Sequence, residues 1–384
     1  MRFEFAAPAR IVVGPGTVQE VAPAAGSLGN RGLVVSGAPA ELAGRLVEAL
    51  EKAGIETATF DVTGEPTTES VLAGVARARE AECDLVIELG GGSALDHGKA
   101  IAALLTNGGE PLDYLEVIGR GQPIRKPAAP HIAIPTTAGT GAEVTKNAVL
   151  LSPEHGVKVS LRSPYLLPDL AVVDPELTHT LPPAITASTG LDALTQLIEP
   201  FVSNKANPLT DAICREGMNR AGRSLRRAYQ DGADAEARED MALASLFGGL
   251  ALANAKLGAV HGFAGPVGGM FHAPHGVVCA RLLPHVMETN VSALQAREPT
   301  NPALARYDEA ARILSGEPDA TAADGVAWVQ ELSADLGIPP LSDFGISEAA
   351  FPAVIAATQK ASSTKGNPIA LTDGDLAAIL RRAL

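Results

Sequence analysis

The rhythm of the chain changes once, near residue 181, and that change limits the fold more than any other feature of the sequence. Before it, short β-branched runs at 10–13, 32–36, 56–60, 84–89 and 131–135 alternate with helix-like stretches at 38–53, 68–81 and 94–105. Strands joined by helical crossovers run parallel, so the pattern predicts a Rossmann-like α/β domain with a doubly wound parallel sheet. Beyond it the β-branched runs nearly vanish and Ala/Leu-rich helical periodicity continues to Leu384, which predicts an all-α domain. The proline-rich segment 174–183 breaks both patterns and places the domains at 1–180 and 181–384. Segment 298–324, with Pro299, Pro302 and Pro318, reads as a polar surface excursion between helices.

A chain of 384 residues exceeds what one hydrophobic core normally organises, in keeping with two domains. The 30 Lys and Arg residues stand against 44 Asp and Glu, a formal charge of −14, with no basic block able to track a phosphate backbone. Nucleic acid and anionic membrane are therefore not expected as partners. The N-terminus lacks an apolar signal core and there is no apolar run of about 18 residues, so a cytoplasmic protein is expected. Cys83, Cys214 and Cys279 are odd in number and far apart, which predicts buried free thiols rather than a disulfide framework or a four-thiolate site.

Strand 84–89 runs straight into Gly90-Gly91-Gly92-Ser93 and a helix. Glycines let backbone N–H groups approach a pyrophosphate without Cβ clashes, and the positive end of a helix attracts its charge. The plainer reading is a tight turn, and Asp96 and Lys99 on the same helix do not decide between them. A second loop, Pro135-Thr136-Thr137-Ala138-Gly139-Thr140-Gly141, also follows a strand and is rich in hydroxyls. Two such loops at strand ends of one open sheet predict a nucleotide cofactor.

Asp192 and Gln196 lie four apart in a helical run, so they share one face, and His261 and His275 come from a second segment. Carboxylate with imidazole suits Zn or Fe(II), and an open coordination position would accept a substrate oxygen. A single Asp or His in an apolar helix is more often hydrogen-bonded structure, and spacing alone does not separate the two readings. Phe263, Phe271, Leu252 and Met270 are either lining of an apolar pocket or ordinary core.

Taken in order, Gly90-Gly91-Gly92-Ser93 with Asp96 and Lys99, the Thr-rich loop 135–141, Asp174-Pro175, Gly190-Leu191-Asp192-Ala193, Gly258-Ala259-Val260-His261 and Pro274-His275-Gly276 resemble the iron-containing (group III) alcohol dehydrogenase family. That family is related to the glycerol dehydrogenases and dehydroquinate synthases, and the resemblance covers nearly the whole chain. It implies a dehydroquinate synthase-like architecture: an NAD(P)-binding α/β domain, a helical domain bearing Fe2+ or Zn2+, and catalysis in the cleft between them. The implied activity is reversible hydride transfer between NAD(P)H and a small aldehyde or ketone, in a homo-oligomer such as a homodimer.

Residue by residue, the resemblance implies that Gly91, Gly92 and Ser93 hold the pyrophosphate. Thr136, Thr137 and Thr140 would line the nicotinamide side, and Asn147 and Lys158 would contact the ribose and nicotinamide end. Asp192, His261 and His275 match three of the family's four metal ligands. The fourth, a histidine, is Gln196 here, a neutral and poorer donor that predicts a weakly held or differently selected metal. Gly265 stands where the family keeps a histidine associated with proton transfer, and His272 is the candidate stand-in. Ser36-Gly37 replaces the aspartate that many NAD-using relatives place against the ribose, which puts Gly37 at the adenosine end and admits NADP. Two alternatives stay open on sequence: a metal-independent enzyme resembling maleylacetate reductase, and an inactive nucleotide-binding protein.

Overall fold

The computed structural model describes residues 2–384. It contains two compact units, one of residues 6–137 and 141–178, the other of 179–384 with 138–140 and a few N-terminal residues ending at Phe5.

In the first unit the elements run β1 (Arg10–Val13), α1 (Val21–Ala25), β2 (Arg31–Ser36), α2 (Ala40–Lys52), β3 (Glu56–Asp61), α3 (Thr68–Glu80), β4 (Leu85–Gly90), α4 (Gly92–Asn107), α5 (Pro111–Tyr114), β5 (His131–Pro135), β6 (Asn147–Ser152), β7 (Val157–Arg162) and β8 (Leu170–Val173). Six strands form one sheet in the order β1-β8-β5-β4-β2-β3, every pair parallel. The expected Rossmann-like class is therefore observed. Buried strands such as β4 and β5 lie under helices on both faces, which is why they read as nearly continuous apolar runs. From β2 the chain goes outward to β3 and then back to β4 on the other side of β2, so the strand order reverses between β2 and β4.

The β6–β7 antiparallel hairpin was not expected, nor was β8. Each hairpin strand buries alternate residues, a weak signal over six positions, and the segment precedes a proline-rich stretch that reads as a junction. The hairpin is fastened to α4 by buried polar groups. Lys99 Nζ donates to Thr145 Oγ1 at 3.0 Å and to the Asn147 carbonyl at 3.1 Å, and it pairs with Asp96 at 3.3 Å. Asp96 in turn accepts the Val149 N–H at 2.9 Å. Asp96 and Lys99 are thus tie points of the fold.

Glu143, just after the Thr-rich loop, is buried, and burial pushes its carboxyl from the ordinary 4.5 up to about 7, with Lys99 opposing. The folded state holds this proton more tightly than the unfolded chain, so its contribution is intact below pH 4.5 and is lost as pH rises toward 7. At about 1.4 kcal/mol per pH unit, that window is worth on the order of 3 kcal/mol. Glu143→Gln, which cannot ionise, should match the native protein in urea unfolding near pH 4.5 and exceed it near pH 8. Equal stability at both pH values would show that Glu143 ionises freely in the fold.

The second unit is helical: α6 (Pro183–Val202), α7 (Pro208–Gln230), α8 (Ala235–Ala255), α9 (Ala259–Phe271), α10 (His275–Arg297), α11 (Ala303–Ser315), α12 (Ala322–Asp335), α13 (Phe351–Lys360) and α14 (Asp373–Ala383). Helix α6 is buried on nearly all sides by α7, α8 and α10, so it is apolar all round except where it carries polar side chains inward. The excursion expected at 298–324 is instead built around α11, which buries Ala303, Tyr307, Ala310, Ala311 and Leu314. Its prolines delimit helices rather than break them: Pro302 is the N-cap of α11, and Pro318 follows the left-handed Gly316 that ends it. Among the described residues no single helix is long and apolar enough to cross a membrane.

Candidate active site

At the carboxyl ends of β2 and β4, where the strand order reverses, three glycines crowd the first turn of α4. A Cβ on Gly90, whose φ is +153°, would lie 2.7 Å from the Ala94 Cβ and 3.2 Å from the Gly37 nitrogen. Gly37 itself donates to the Leu89 carbonyl at 2.9 Å. Gly91 is the N-cap of α4 and supplies no side-chain cap, while a Cβ there would sit 3.3 Å from Thr137 Cγ2. The result is a concave backbone cradle at the uncapped N-terminus of a sixteen-residue helix, at the reversal point where open α/β sheets bind nucleotides. Those features fit a dinucleotide pyrophosphate.

The other expected cofactor residues are placed as follows. Gly92 opens α4, and Ser93 Oγ donates to the Gly64 carbonyl. Thr136 is buried and its N–H reaches the Gly90 carbonyl at 2.9 Å, which brings the Thr-rich loop beside the cradle. Thr140 falls in the helical unit with Ala138 and Gly139. Asn147 begins β6, and Lys158 on β7 pairs with Glu65 at 2.8 Å.

In the helical unit, α6 presents Asp192, Gln196 and Glu199 at i, i+4 and i+7 along one buried face. His261 comes from the first turn of α9, and His275 opens α10. Helix α10 can approach α6 because Gly276 lacks a side chain: a Cβ there would be 2.7 Å from the Ser188 carbonyl oxygen. Asp192 Oδ1 stands 3.4 Å from His261 Nε2 and 3.7 Å from His275 Nε2. Asp192 Oδ1 and His261 Nε2 are buried without an acceptable hydrogen bond. Two buried donor atoms left in that condition, aimed at one point, suit a cation. The residues present therefore fit a divalent metal.

What lies behind these atoms was not anticipated. Glu199 Oε2 accepts from His261 Nδ1 at 2.7 Å, and Glu199 Oε1 accepts the Val260 N–H at 2.7 Å. A carboxylate holding Nδ1–H fixes the tautomer and turns the Nε2 lone pair toward the site. Gln196 Nε2 donates to Asp192 Oδ2 at 3.0 Å, steadying the carboxylate from the side, and its Oε1 is buried without a partner. Cys279, one turn after His275 on α10, joins Asp192, His261 and His275 in a set whose donor atoms all lie within 4.8 Å of one another. The signals for both residues were present in the sequence. Glu199 continues the Asp192–Gln196 face, and Cys279 continues that of His275.

Burial alone would raise the Asp192 carboxyl, but His275 and His261 hold it below the ordinary value. Burial likewise opposes charge on His261, yet the Cys279 sulfur and the Asp192 and Glu199 acceptors push that ring well above the usual range. For the Cys279 thiol burial wins, raising it to about 12.

Of the remaining expectations, His272 is exposed and caps α9 in the left-handed region, with φ of 53°. Gly265 faces open space, since a Cβ there would meet nothing within 4 Å. Phe263 is core, whereas Met270 is 42% exposed. All three cysteines are free; Cys214 and Cys279 are buried, and Cys83 is only partly so.

Removing the brace behind His261 should be measurable. Glu199→Gln keeps the size of the side chain but loses the charge that holds Nδ1–H, and such outer partners are worth roughly 10–100-fold in metal affinity. Competition against a chromophoric chelator should register a loss of that size, and unchanged affinity would remove Glu199 from the site.

Over residues 8–175 the chain matches the model of the iron-containing alcohol dehydrogenases, and over 186–384 that of the C-terminal region of the same family. The chain belongs to the iron-containing alcohol dehydrogenase family. Alcohol dehydrogenase 4 of Saccharomyces cerevisiae (strain YJM789) is 38% identical, covering 89% of this chain and 87% of its own. Among solved structures, a 1,3-propanediol oxidoreductase superposes with a TM-score of 0.91 at 35% identity, over 100% of both chains. Sulfoacetaldehyde reductase from Bifidobacterium kashiwanohense, solved with NAD+, superposes with a TM-score of 0.87 at 30% identity, over 100% of this chain and 99% of that one. The protein is an alcohol dehydrogenase/aldehyde reductase of this family, using NAD or NADP and a divalent metal.

Proposed function

We propose that Asp192, His261 and His275 hold the divalent cation of this enzyme, and that Gly37, Gly91, Gly92, Ser93, Thr136, Thr137, Thr140, Asn147 and Lys158 bind NAD(P)H. The observation that carries the metal assignment is the convergence of the buried Asp192 Oδ1 and His261 Nε2, without hydrogen-bond partners, on His275 Nε2. When bound, the cation supplies Lewis acidity to the substrate oxygen and the nicotinamide exchanges the hydride. Asp192 brings the charge that offsets the cation, and Gln196 keeps that carboxylate from rotating. Glu199 sets the tautomer of His261. The glycine cradle and the α4 N-terminus position the pyrophosphate.

The substrates proposed are short-chain primary alcohols and diols and their aldehydes, a class supported by the 1,3-propanediol oxidoreductase likeness. The division of labour proposed is residues 1–180 for the dinucleotide and 181–384 for metal and substrate. With a carboxylate, two imidazoles and a braced ring tautomer assembled together, a metal-assisted reaction is favoured over a metal-independent one. The three free cysteines suit a reducing compartment, and a cytoplasmic homo-oligomer is proposed.

The test is a steady-state panel of C2–C4 alcohols and diols with NAD+ and NADP+, repeated after anaerobic chelation and after restoring Fe2+ or Zn2+. Activity that disappears with the chelator and returns with the metal supports the proposal. Undiminished turnover in demonstrably metal-free enzyme would contradict it.

A further inference from the structure

The chain departs from its family at the fourth ligand, where Gln196 turns its amide N–H to Asp192 Oδ2. In this orientation Gln196 braces Asp192 through its nitrogen, while its Oε1 stays buried without a hydrogen-bond partner. The sulfur of Cys279 lies within the same cluster. It lies 3.6 Å from His275 Nε2, is buried, and sits with Asp192, His261 and His275 in the set whose donor atoms are mutually within 4.8 Å.

The separations can be compared with those a tetrahedral ion imposes. For metal–nitrogen and metal–oxygen bonds of about 2.0–2.1 Å, donor atoms sit about 3.3–3.4 Å apart, and a sulfur at about 2.3 Å lies about 3.5–3.6 Å from its neighbours. The observed values are 3.4 Å for His261 Nε2 to Asp192 Oδ1, 3.7 Å for His275 Nε2 to Asp192 Oδ1 and 3.6 Å for Cys279 Sγ to His275 Nε2. Three edges of the polyhedron are thus already close to the lengths a bound ion requires. The helical spacing explains the arrangement: Cys279 follows His275 by four residues, so one face of α10 delivers both an imidazole and a sulfur.

We infer that Cys279 is the fourth metal ligand of this enzyme, its sulfur replacing the missing imidazole at position 196. The inference rests on the metal reading of Asp192, His261 and His275 proposed above. On binding, the thiol proton leaves to solvent or buffer and the sulfur takes its place on the ion. No electron transfer is involved. An Asp/His/His/Cys set is softer than an Asp/His/His/His set, so it shifts selectivity from Fe(II) toward Zn(II).

Cobalt(II) provides a readout independent of turnover. Full-length protein is stripped anaerobically and titrated with Co2+. One ion per chain should bind and produce an intense near-ultraviolet sulfur-to-cobalt charge-transfer band. Cys279→Ser and Cys279→Ala should abolish the band and weaken binding at least about tenfold, whereas Cys83→Ser, away from the cluster, should leave both unchanged. Gln196→His in the Cys279→Ala background should recover affinity without recovering the band. X-ray absorption of the zinc-loaded native protein needs no variant and should report one sulfur at about 2.3 Å.

Cobalt that binds in dependence on Asp192 and His261 but gives no charge-transfer band, with a zinc shell free of sulfur, overturns the inference and leaves the three-residue metal site standing. Failure of the native protein to bind cobalt or zinc, or binding undisturbed by Asp192→Ala, overturns the metal site itself and the inference with it.

Discussion

Asp192→Ala should leave the protein folded, empty of metal and slower by roughly three orders of magnitude or more in kcat/KM for alcohol oxidation. The carboxylate is the only negative side chain among the three proposed ligands, and its Oδ1 lies within 3.7 Å of both imidazole nitrogens. Without it, the dication has lost one of the two ligand charges that would neutralise it, the other being the Cys279 sulfur. Lewis-acid stabilisation of the developing alkoxide is worth several kcal/mol, and each 1.36 kcal/mol is about tenfold in rate. Asp192→Asn separates charge from shape: it keeps the volume and a donor-acceptor pair for Gln196, yet should fall almost as far. Metal content per chain and kcat/KM, measured on the same preparations, give the answer. Either variant retaining a full complement of metal and near-native turnover would show that Asp192 is structural.

The second large effect lies in the α/β unit and concerns stability. Gly98→Ala should cost about 4 kcal/mol, a large share of the 5–15 kcal/mol that holds a typical domain together. A Cβ at position 98 on α4 would overlap Glu88 Cγ and lie 2.8 Å from its Cδ. Glu88 cannot yield, because Oε1 is held by His131 Nδ1 at 2.8 Å and both side chains are buried. Overpacking alone typically costs 1–3 kcal/mol, and displacing one partner of a buried hydrogen bond adds roughly 1–3 kcal/mol when its partner is left unsatisfied. Soluble yield and the temperature of the first unfolding transition should both fall. Glu88→Ala in the Gly98→Ala background opens the space and should recover part of the loss. A Gly98→Ala variant as stable as the native protein would mean that α4 stands further from β4 than the structure places it.

The fold was legible wherever an element buries a long, regular face. Strands β4 and β5 and helices α4 and α6 carry unbroken apolar or periodic runs, and for β4, β5 and α4 the sequence boundaries fall within a few residues of the observed ones. The hairpin β6–β7 was not legible because its six-residue strands bury only alternate positions and close on a four-residue turn. Helix α11 was masked by prolines that lie at its ends, where proline is compatible with helix geometry.

The site divides in the same way. Asp192, His261 and His275 were visible through spacing and family likeness, and the structure gathers them. Glu199 and Cys279 lie on the same helix faces, but spacing alone does not single out Glu199, and in the sequence Cys279 reads only as a buried free thiol. Which atom of a side chain faces a site is decided by packing between helices, and linear spacing carries no record of that. Gln196 illustrates the point: sequence places it at a ligand position, and the fold shows which atom faces where, its amide nitrogen turned to Asp192 and its Oε1 buried without a hydrogen-bond partner. Asp96 and Lys99, which sequence left between roles, are committed to the hairpin by Val149, Thr145 and Asn147.

The central claim, that one divalent cation is held by Asp192, His261 and His275, is tested most directly by anomalous scattering. Crystals of the zinc-loaded enzyme would be measured on both sides of the zinc absorption edge. The prediction is a single strong peak about 2.0–2.2 Å from Asp192 Oδ1, His261 Nε2 and His275 Nε2. A peak elsewhere, or none at those atoms in crystals grown from active enzyme, would contradict it.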